Sequence, residues 1–145
     1  MLLIGCVSGP PFNPAVGNST FQSYVKDSLT GKRSGERNIN LRKALRGDSS
    51  GIRYFFAESY LRSMSSYPDP AEDVALGWLL QTILLKNGDG VFSQLLAKKP
   101  PDVQASVFLF LIEQYIPNDY LHTRGLLRSS PQILFPLEKA YEMTD

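Results

Sequence analysis

The sequence predicts an all-α protein of seven or eight helices, packed as a compact bundle with a solenoid-like middle. From residue 19 onward, almost every segment places apolar residues at helical spacing. Helix start signals recur between these segments, usually an Asp, Asn or Ser. No stretch alternates apolar and polar residues convincingly, and no Asn-Gly hairpin is recognisable. Together these observations favour helices over a sheet.

Size and composition predict one globular domain. The chain has 145 residues, of which 43% are hydrophobic and 20% charged, so it can bury a core without metals or disulfides. Pro, Gly and Asn dominate residues 8–18, so we expect residues 1–18 to hold a flexible tether and residues 19–145 the helical domain. The longest apolar run, residues 74–85, is shorter than a membrane span.

The first half of the domain contains three predicted helices. Residues 19–29 carry one apolar stripe, and a short helix ending near Leu45 is expected to be capped by Asn38 or Asn40. Residues 48–50 are candidate caps for the next helix, in which Glu58 and Arg62 stand at i,i+4 and are expected to pair. The apolar face predicted for that helix consists of Ile52, Phe55, Phe56, Ser59, Tyr60 and Met64.

The strongest start signal is Asp69-Pro70-Ala71-Glu72. It places a cap, a proline at the first helical position and a glutamate that can reach back to the cap. The helix that follows is apolar nearly all round and is expected to end at Asn87-Gly88, so it belongs in the middle of the fold.

The second half contains four more predicted helices. A short one covers residues 91–96, and a longer one runs over residues 103–116. The centre of the longer segment has strand-like composition, but helical spacing over more than a dozen residues favours a helix. Residues 117–119 and 130–131 each restart the chain, and the last helix has the apolar stripe Ile133, Leu134, Leu137 and Tyr141.

Two similar segments within the chain suggest a repeat architecture. Asp73-Val74-Ala75 and Asp102-Val103-Gln104-Ala105 each open a core helix after a proline. The segment of about residues 91–116, with its Pro-Asp turn between two helices, resembles a HEAT-type helical repeat. This resemblance implies stacked helical pairs, which bind peptides or proteins along a concave face.

The N-terminus carries the one motif with a cellular meaning. Leu3-Ile4-Gly5-Cys6 contains the chain's single cysteine and resembles a bacterial lipobox. The resemblance implies cleavage before Cys6, lipid attachment to its thiol and anchoring in the bacterial envelope. An export signal needs a longer apolar region than Met1 to Ile4 provides. Either the natural start lies upstream, or the start is misassigned, or the match is accidental and Cys6 is a buried free thiol.

Charge is divided unevenly along the chain. Residues 1–66 hold nine Lys or Arg and four Asp or Glu, a net charge of +5, whereas residues 67–145 hold six and ten, a net charge of −4. This division predicts a basic face that can contact an anionic surface. The expected contact residues are Lys32, Arg33, Arg37, Arg42, Lys43 and Arg46, with Arg53 in the same basic run. A merely solvated, bipolar surface is the alternative, and nucleic acid is disfavoured because the nearby aromatics fall mostly on apolar faces.

Candidate catalytic and metal-binding residues are few. One histidine and one cysteine cannot form the usual zinc site. His122 follows Asp119 by three residues, which would allow a carboxylate–imidazole pair on one helix face. The Ala57-Glu58-Ser59 segment is similar to the Glu-Ser pair of lytic transglycosylases, which would make Glu58 a general acid, but the family's second motif is missing. Residues 87–90 match neither a phosphate nor a calcium loop.

We therefore expect no catalytic residue, no metal and no cofactor. The leading hypothesis is a non-enzymatic helical protein-binding or scaffolding module, anchored in the bacterial envelope through Cys6, and an inhibitor of another envelope protein would fit equally. The alternatives are a cytosolic helical adaptor and a peptidoglycan-acting enzyme that uses Glu58.

Overall fold

The structure, a computed structural model, describes residues 35–67 and 69–130, and within them the chain is helical without any strand. The described helices are α1 Gly35–Leu45, α2 Ser49–Ser63, α3 Pro70–Asn87, α4 Asp89–Ala97, α5 Pro101–Phe110 and α6 Leu121–Ser129, with a 3-10 turn at Glu113–Tyr115. The all-α prediction is confirmed. The helices predicted in residues 19–29 and 131–145 lie outside the described residues, as does the predicted tether.

Helix α3 forms the centre of the bundle. It packs against α1, α2, α4 and α5, and its inner leucines and isoleucine are fully buried or nearly so. Phe56 of α2 and Phe92 of α4 complete the core, with ring centroids 5.2 Å apart in an edge-to-face arrangement. The middle turns of α3 are largely buried, as predicted, whereas Val74 near its start and Lys86 in its last turn are exposed.

Two glycines allow helices to approach closely. A Cβ atom on Gly51 of α2 would lie 2.5 Å from the backbone nitrogen of Ala44 and 2.6 Å from the carbonyl oxygen of Asn40, both in α1. A Cβ on Gly77 of α3 would lie 2.5 Å from the carbonyl oxygen of Phe110 in α5. Any larger residue at Gly51 or Gly77 would push backbones apart, so these glycines set the packing of α1 on α2 and of α5 on α3.

Two of the predicted helix caps are confirmed. The Asp48 carboxylate accepts the Ser50 backbone N–H at 2.9 Å, and the Asp69 carboxylate accepts that of Glu72 at 3.2 Å. The cap predicted at Asn38 or Asn40 is wrong, because α1 begins at Gly35 and both residues lie inside it. Asparagine ordinarily favours helix ends, but Asn38 is buried inside α1.

The helix predicted over residues 103–116 is shorter in the structure. Helix α5 ends at Phe110, and the chain turns at Leu111, whose ψ of 79° is not helical. The turn lays Tyr115 on α3, where the side-chain amide of Gln81 donates to the Tyr115 carbonyl at 3.3 Å. Local spacing continued past Phe110, but contact with α3 ended the helix there.

The packing order of α4 and α5 is not that of a stacked pair. Helix α4 packs mainly on α6 and α3, whereas α5 packs mainly on α2 and α3. A buried hydrogen bond between the hydroxyls of Ser63 and Ser106, 2.8 Å long, joins α2 to α5. The described residues show no sign of a HEAT-type repeat, and the resemblance over residues 91–116 stays a prediction.

Candidate functional site

An ionic network joins the first three helices. The Arg37 guanidinium of α1 donates to Glu58 Oε1 of α2 from Nε at 3.0 Å and from Nη2 at 2.6 Å. Nη2 also lies 2.6 Å from Glu72 Oε1 of α3. The Arg37 side chain is only 12% exposed. Arg37 was predicted to contact an anionic surface, but the structure turns it inward, where it holds three helices together.

The pair predicted between Glu58 and Arg62 is wrong. Arg62 Nε instead donates to Asp73 Oδ1 of α3 at 2.5 Å, and Glu58 binds Arg37 of α1. Each side chain therefore connects α2 to a different neighbour. Sequence spacing identified the two charged residues but could not reveal the partners brought close by packing.

The surroundings of Glu58 do not favour a general acid. Arg37 binds its carboxylate directly, whereas a glycosidase general acid stands in an apolar pocket. Tyr54 lies beside it: burial, followed by the charge of Glu58 and a hydrogen bond to it, raises the pKa of Tyr54 to about 12. The three residues form a polar contact between α1 and α2 and not an apolar pocket.

Asp89, the first residue of α4, caps α6 from outside that helix. Its Oδ2 accepts the His122 backbone N–H at 2.9 Å, and its Oδ1 accepts the backbone N–H and hydroxyl of Thr123 at 2.7 and 2.6 Å. Tyr120, which precedes the helix, supplies no side-chain cap. His122 Nδ1 also lies 3.0 Å from Asp89 Oδ2. His122 thus pairs with Asp89, 33 residues away in sequence, and not with Asp119, which its spacing would have allowed.

The remaining predicted basic residues are distributed as follows. Lys32 and Arg33 lie outside the described residues. Arg42 and Arg46 are exposed and Lys43 is half-buried, all at or just beyond the last turn of α1. Sequence analysis did not group Lys86 with these residues. Lys86 stands in the last turn of α3, and no local pattern in the sequence indicates that α1 and α3 end side by side. Arg42, Lys43, Arg46 and Lys86 are called the basic corner below.

A group of large apolar side chains is exposed where α2 ends. Leu61 is 69% exposed, Met64 67% and Tyr67 78%. Leu61 and Met64 are three residues apart at the helix end and therefore neighbours on its surface. Met64 was predicted to face the core, but the buried stripe of α2 ends at Ser63 and Met64 follows on the outer side. Leu61, Met64 and Tyr67 are called the apolar patch.

The lipobox, metal binding and membrane spans are the remaining sequence-based topics. Cys6, with the lipobox-like residues around it, lies outside the described ranges. Across residues 35–67 and 69–130, no three metal-binding side chains come together as an ion site would require. None of the helices described is both long and apolar enough to cross a membrane.

Comparison with known proteins does not assign the chain to a family. No protein-family model matches the chain, and neither a curated protein nor a solved structure shows significant similarity to it.

Proposed function

We propose that the protein is a non-enzymatic helical module that binds another protein, held at the bacterial envelope by a lipid on Cys6. The apolar patch is the observation that carries the binding part of this proposal. Adjacent exposed apolar side chains are costly in water and commonly mark a contact with a partner. A leucine and a methionine at the end of α2, with a tyrosine just beyond it, offer a large contact area.

The charged groups nearest the patch support this proposal. Arg62 and Asp73 are held in a pair between α2 and α3, and Asp69 caps α3. These groups fix the end of the bundle from which the patch projects. The patch is therefore presented on a rigid support, which limits the entropy lost when a partner binds.

Photo-crosslinking tests the binding part. A photoreactive amino acid is placed at Met64 and, as a matched control, at Val91, which is exposed on α4. We expect envelope extracts to yield one discrete adduct from position 64 only, and that adduct to disappear when Leu61→Ser is added. Adducts that are the same from both positions, or none from position 64, would contradict the proposal.

Intact-mass measurement tests the anchoring part. The protein is expressed from its native locus with the upstream sequence retained, beside a Cys6→Ser variant. A mass gain of a diacylglyceryl or triacyl group that the variant lacks is the expected result. An unmodified chain that begins at Met1 would remove the membrane from the proposal and leave a soluble binding module.

A further inference from the structure

Helix α2 presents one continuous face to solvent between the two helices that flank it. On one side Glu58 is bound by Arg37 of α1, and on the other the Ser63 hydroxyl is hydrogen-bonded to that of Ser106 in α5. The exposed residues between these two contacts are Arg53, Ala57, Leu61 and Met64. They stand at i, i+4, i+8 and i+11 and therefore share one face, about 16 Å long, which is called the outer face of α2.

Part of the outer face has the arrangement that receives a side chain from another helix. Ala57, Tyr60, Leu61 and Met64 stand at i, i+3, i+4 and i+7, the positions that surround a hole on a helix surface. Ala57 is the smallest of the four and forms the floor, while half-buried Tyr60 and exposed Leu61 lie to either side of it. A leucine-sized side chain from a facing helix can be seated there.

Recognition of α2 must use its side chains. The N–H and C=O groups of a helix are bonded along the helix itself, so an extended strand cannot add to α2 as it adds to the edge of a sheet. A second helix, with apolar residues recurring at i, i+3, i+4 and i+7, matches the spacing of the outer face.

The charge on the outer face indicates what the partner carries. Arg53 is exposed, and within the part of the chain that the structure describes no carboxylate pairs with it. Glu58 is the single carboxylate of α2, and it is bound by Arg37. In a face-to-face contact, a second copy would therefore place Arg53 against its own Arg53 or against Leu61, according to its direction. Charge complementarity favours an acidic partner over a second copy.

We infer that the outer face of α2 binds an amphipathic helix of an acidic partner protein, with an apolar side chain seated over Ala57 and a carboxylate paired with Arg53. This inference rests on the proposed function, because it names the kind of partner that the apolar patch takes. Leu61 and Met64 supply the apolar contact, and Arg53 sets the position of the bound helix. The same cation repels a basic helix and so contributes to specificity.

Two synthetic peptides, each about four helical turns long, are the probes for binding to the full chain. Both have leucines at i, i+3, i+4 and i+7, flanked at each end by glutamates in one peptide and by lysines in the other. Fluorescence anisotropy at low ionic strength measures binding, since salt screens exposed charges. The net charge of the chain is only +1, so bulk attraction discriminates little between the peptides. We expect the glutamate peptide to bind about tenfold more tightly.

Reversing one charge tests the contact assigned to Arg53. Arg53→Glu should invert the preference, so that the lysine peptide binds about tenfold more tightly than the glutamate peptide. Lys98→Glu reverses an exposed cation beyond the end of α4 and is the matched control, which should keep the wild-type preference. Both positions are exposed, and thermal melting verifies that the variants fold.

Two further variants test the apolar contact. Ala57→Gln fills the floor of the hole, and Leu61→Ser removes one of its walls, so each should weaken both peptides about tenfold. Leu121→Ser is the control, because Leu121 is 66% exposed at the start of α6 and closely matches Leu61 at 69%. It should leave the binding of both peptides unchanged.

Several results would overturn the inference. They are equal binding of the two peptides by the wild type, a preference that Arg53→Glu leaves unchanged, and equal losses in Leu61→Ser and Leu121→Ser. Self-association in sedimentation that Leu61→Ser abolishes would make a second copy the occupant and would overturn it too.

The inference and the proposed function fail separately. A discrete envelope adduct from position 64, together with peptide binding that is indifferent to Arg53, would keep protein binding and overturn the acidic helix. Charge-selective peptide binding without any envelope adduct would support the outer face and remove the proposed function.

Discussion

Replacing Asp89 with alanine should destabilise the end of the bundle far more than the loss of an ordinary helix cap. Asp89 is the cap of α6, although it belongs to α4, and its carboxylate accepts hydrogen bonds from two backbone amides and one hydroxyl. One of the two residues that donate them, Thr123, is completely buried. The Asp89 side chain is itself only 17% exposed, so water replaces the lost acceptor poorly.

The magnitude follows from two contributions. Loss of the cap itself costs about 1 kcal/mol. Leaving the buried amide and hydroxyl of Thr123 without this acceptor costs about 2 kcal/mol more, so Asp89→Ala should lower the free energy of unfolding by about 3 kcal/mol. Asp89→Asn keeps one acceptor oxygen for Thr123, but it turns an NH2 group toward the His122 N–H and loses the charge, so it should cost about 2 kcal/mol.

Urea unfolding at neutral pH measures the global effect, and hydrogen exchange of the α6 amides measures the local one. Asp48→Ala is the matched control, since Asp48 caps α2 at an exposed position and should cost only about 1 kcal/mol. If Asp89→Ala costs no more than Asp48→Ala, or if α6 exchanges at an unchanged rate, the bonds from Asp89 do not hold α6 in place and the reasoning is refuted.

Three further predictions concern packing, ion pairs and pH. Gly51→Ala should destabilise by about 3 kcal/mol because its methyl group meets backbone, whereas Gly125→Ala, in open space within a helix, should stabilise by about 0.5 kcal/mol; thermal melts of both decide this. Arg37→Leu should cost about 2 kcal/mol in urea unfolding, because it leaves two glutamates without their arginine. Glu113→Gln removes an exposed ion pair and should change stability by less than about 0.5 kcal/mol. Similar losses in the two variants would contradict a stabilising role for the Arg37 network. Burial of Asp89 raises its pKa, but hydrogen bonds outweigh burial and hold the pKa below its usual value. Its contribution to the free energy of unfolding is therefore present above about pH 4 and is lost as pH falls through the folded pKa. A stability difference between wild type and Asp89→Asn that does not narrow below about pH 4 would contradict this.

The features that were predicted correctly are those that depend on neighbours in sequence. Asp69 and Pro70 mark the start of α3, and Asp48 marks the start of α2. These starts can be predicted because a cap accepts a hydrogen bond from an amide only two or three residues away. The end of α3 at Asn87-Gly88 is confirmed too, since Gly88 has a φ of 90°, a conformation that glycine adopts readily.

The features that were missed depend on contacts between distant segments. The partners of Glu58 and His122 lie 21 and 33 residues away, and local spacing offered each a nearer partner that the fold did not use. The end of α5 has the same origin, because Gly77 draws the Phe110 carbonyl against α3. The basic corner was predicted only in part, since Lys86 joins it through a contact of the neighbouring asparagine with α1.

The Asn87-Gly88 pair also determines how the folded chain ages chemically. An asparagine before a glycine readily deamidates, because the glycine nitrogen attacks the side-chain amide and forms a cyclic imide. Here the Gly88 nitrogen is held by the Leu84 carbonyl at 2.7 Å, and the Asn87 side chain by the carbonyls of Ala44 and Ile83 at 3.0 and 2.9 Å. The reaction must therefore await local opening of this end. Once it occurs, a carboxylate facing two carbonyl oxygens prevents the original junction from re-forming, so deamidated molecules accumulate as a record of how often that end has opened.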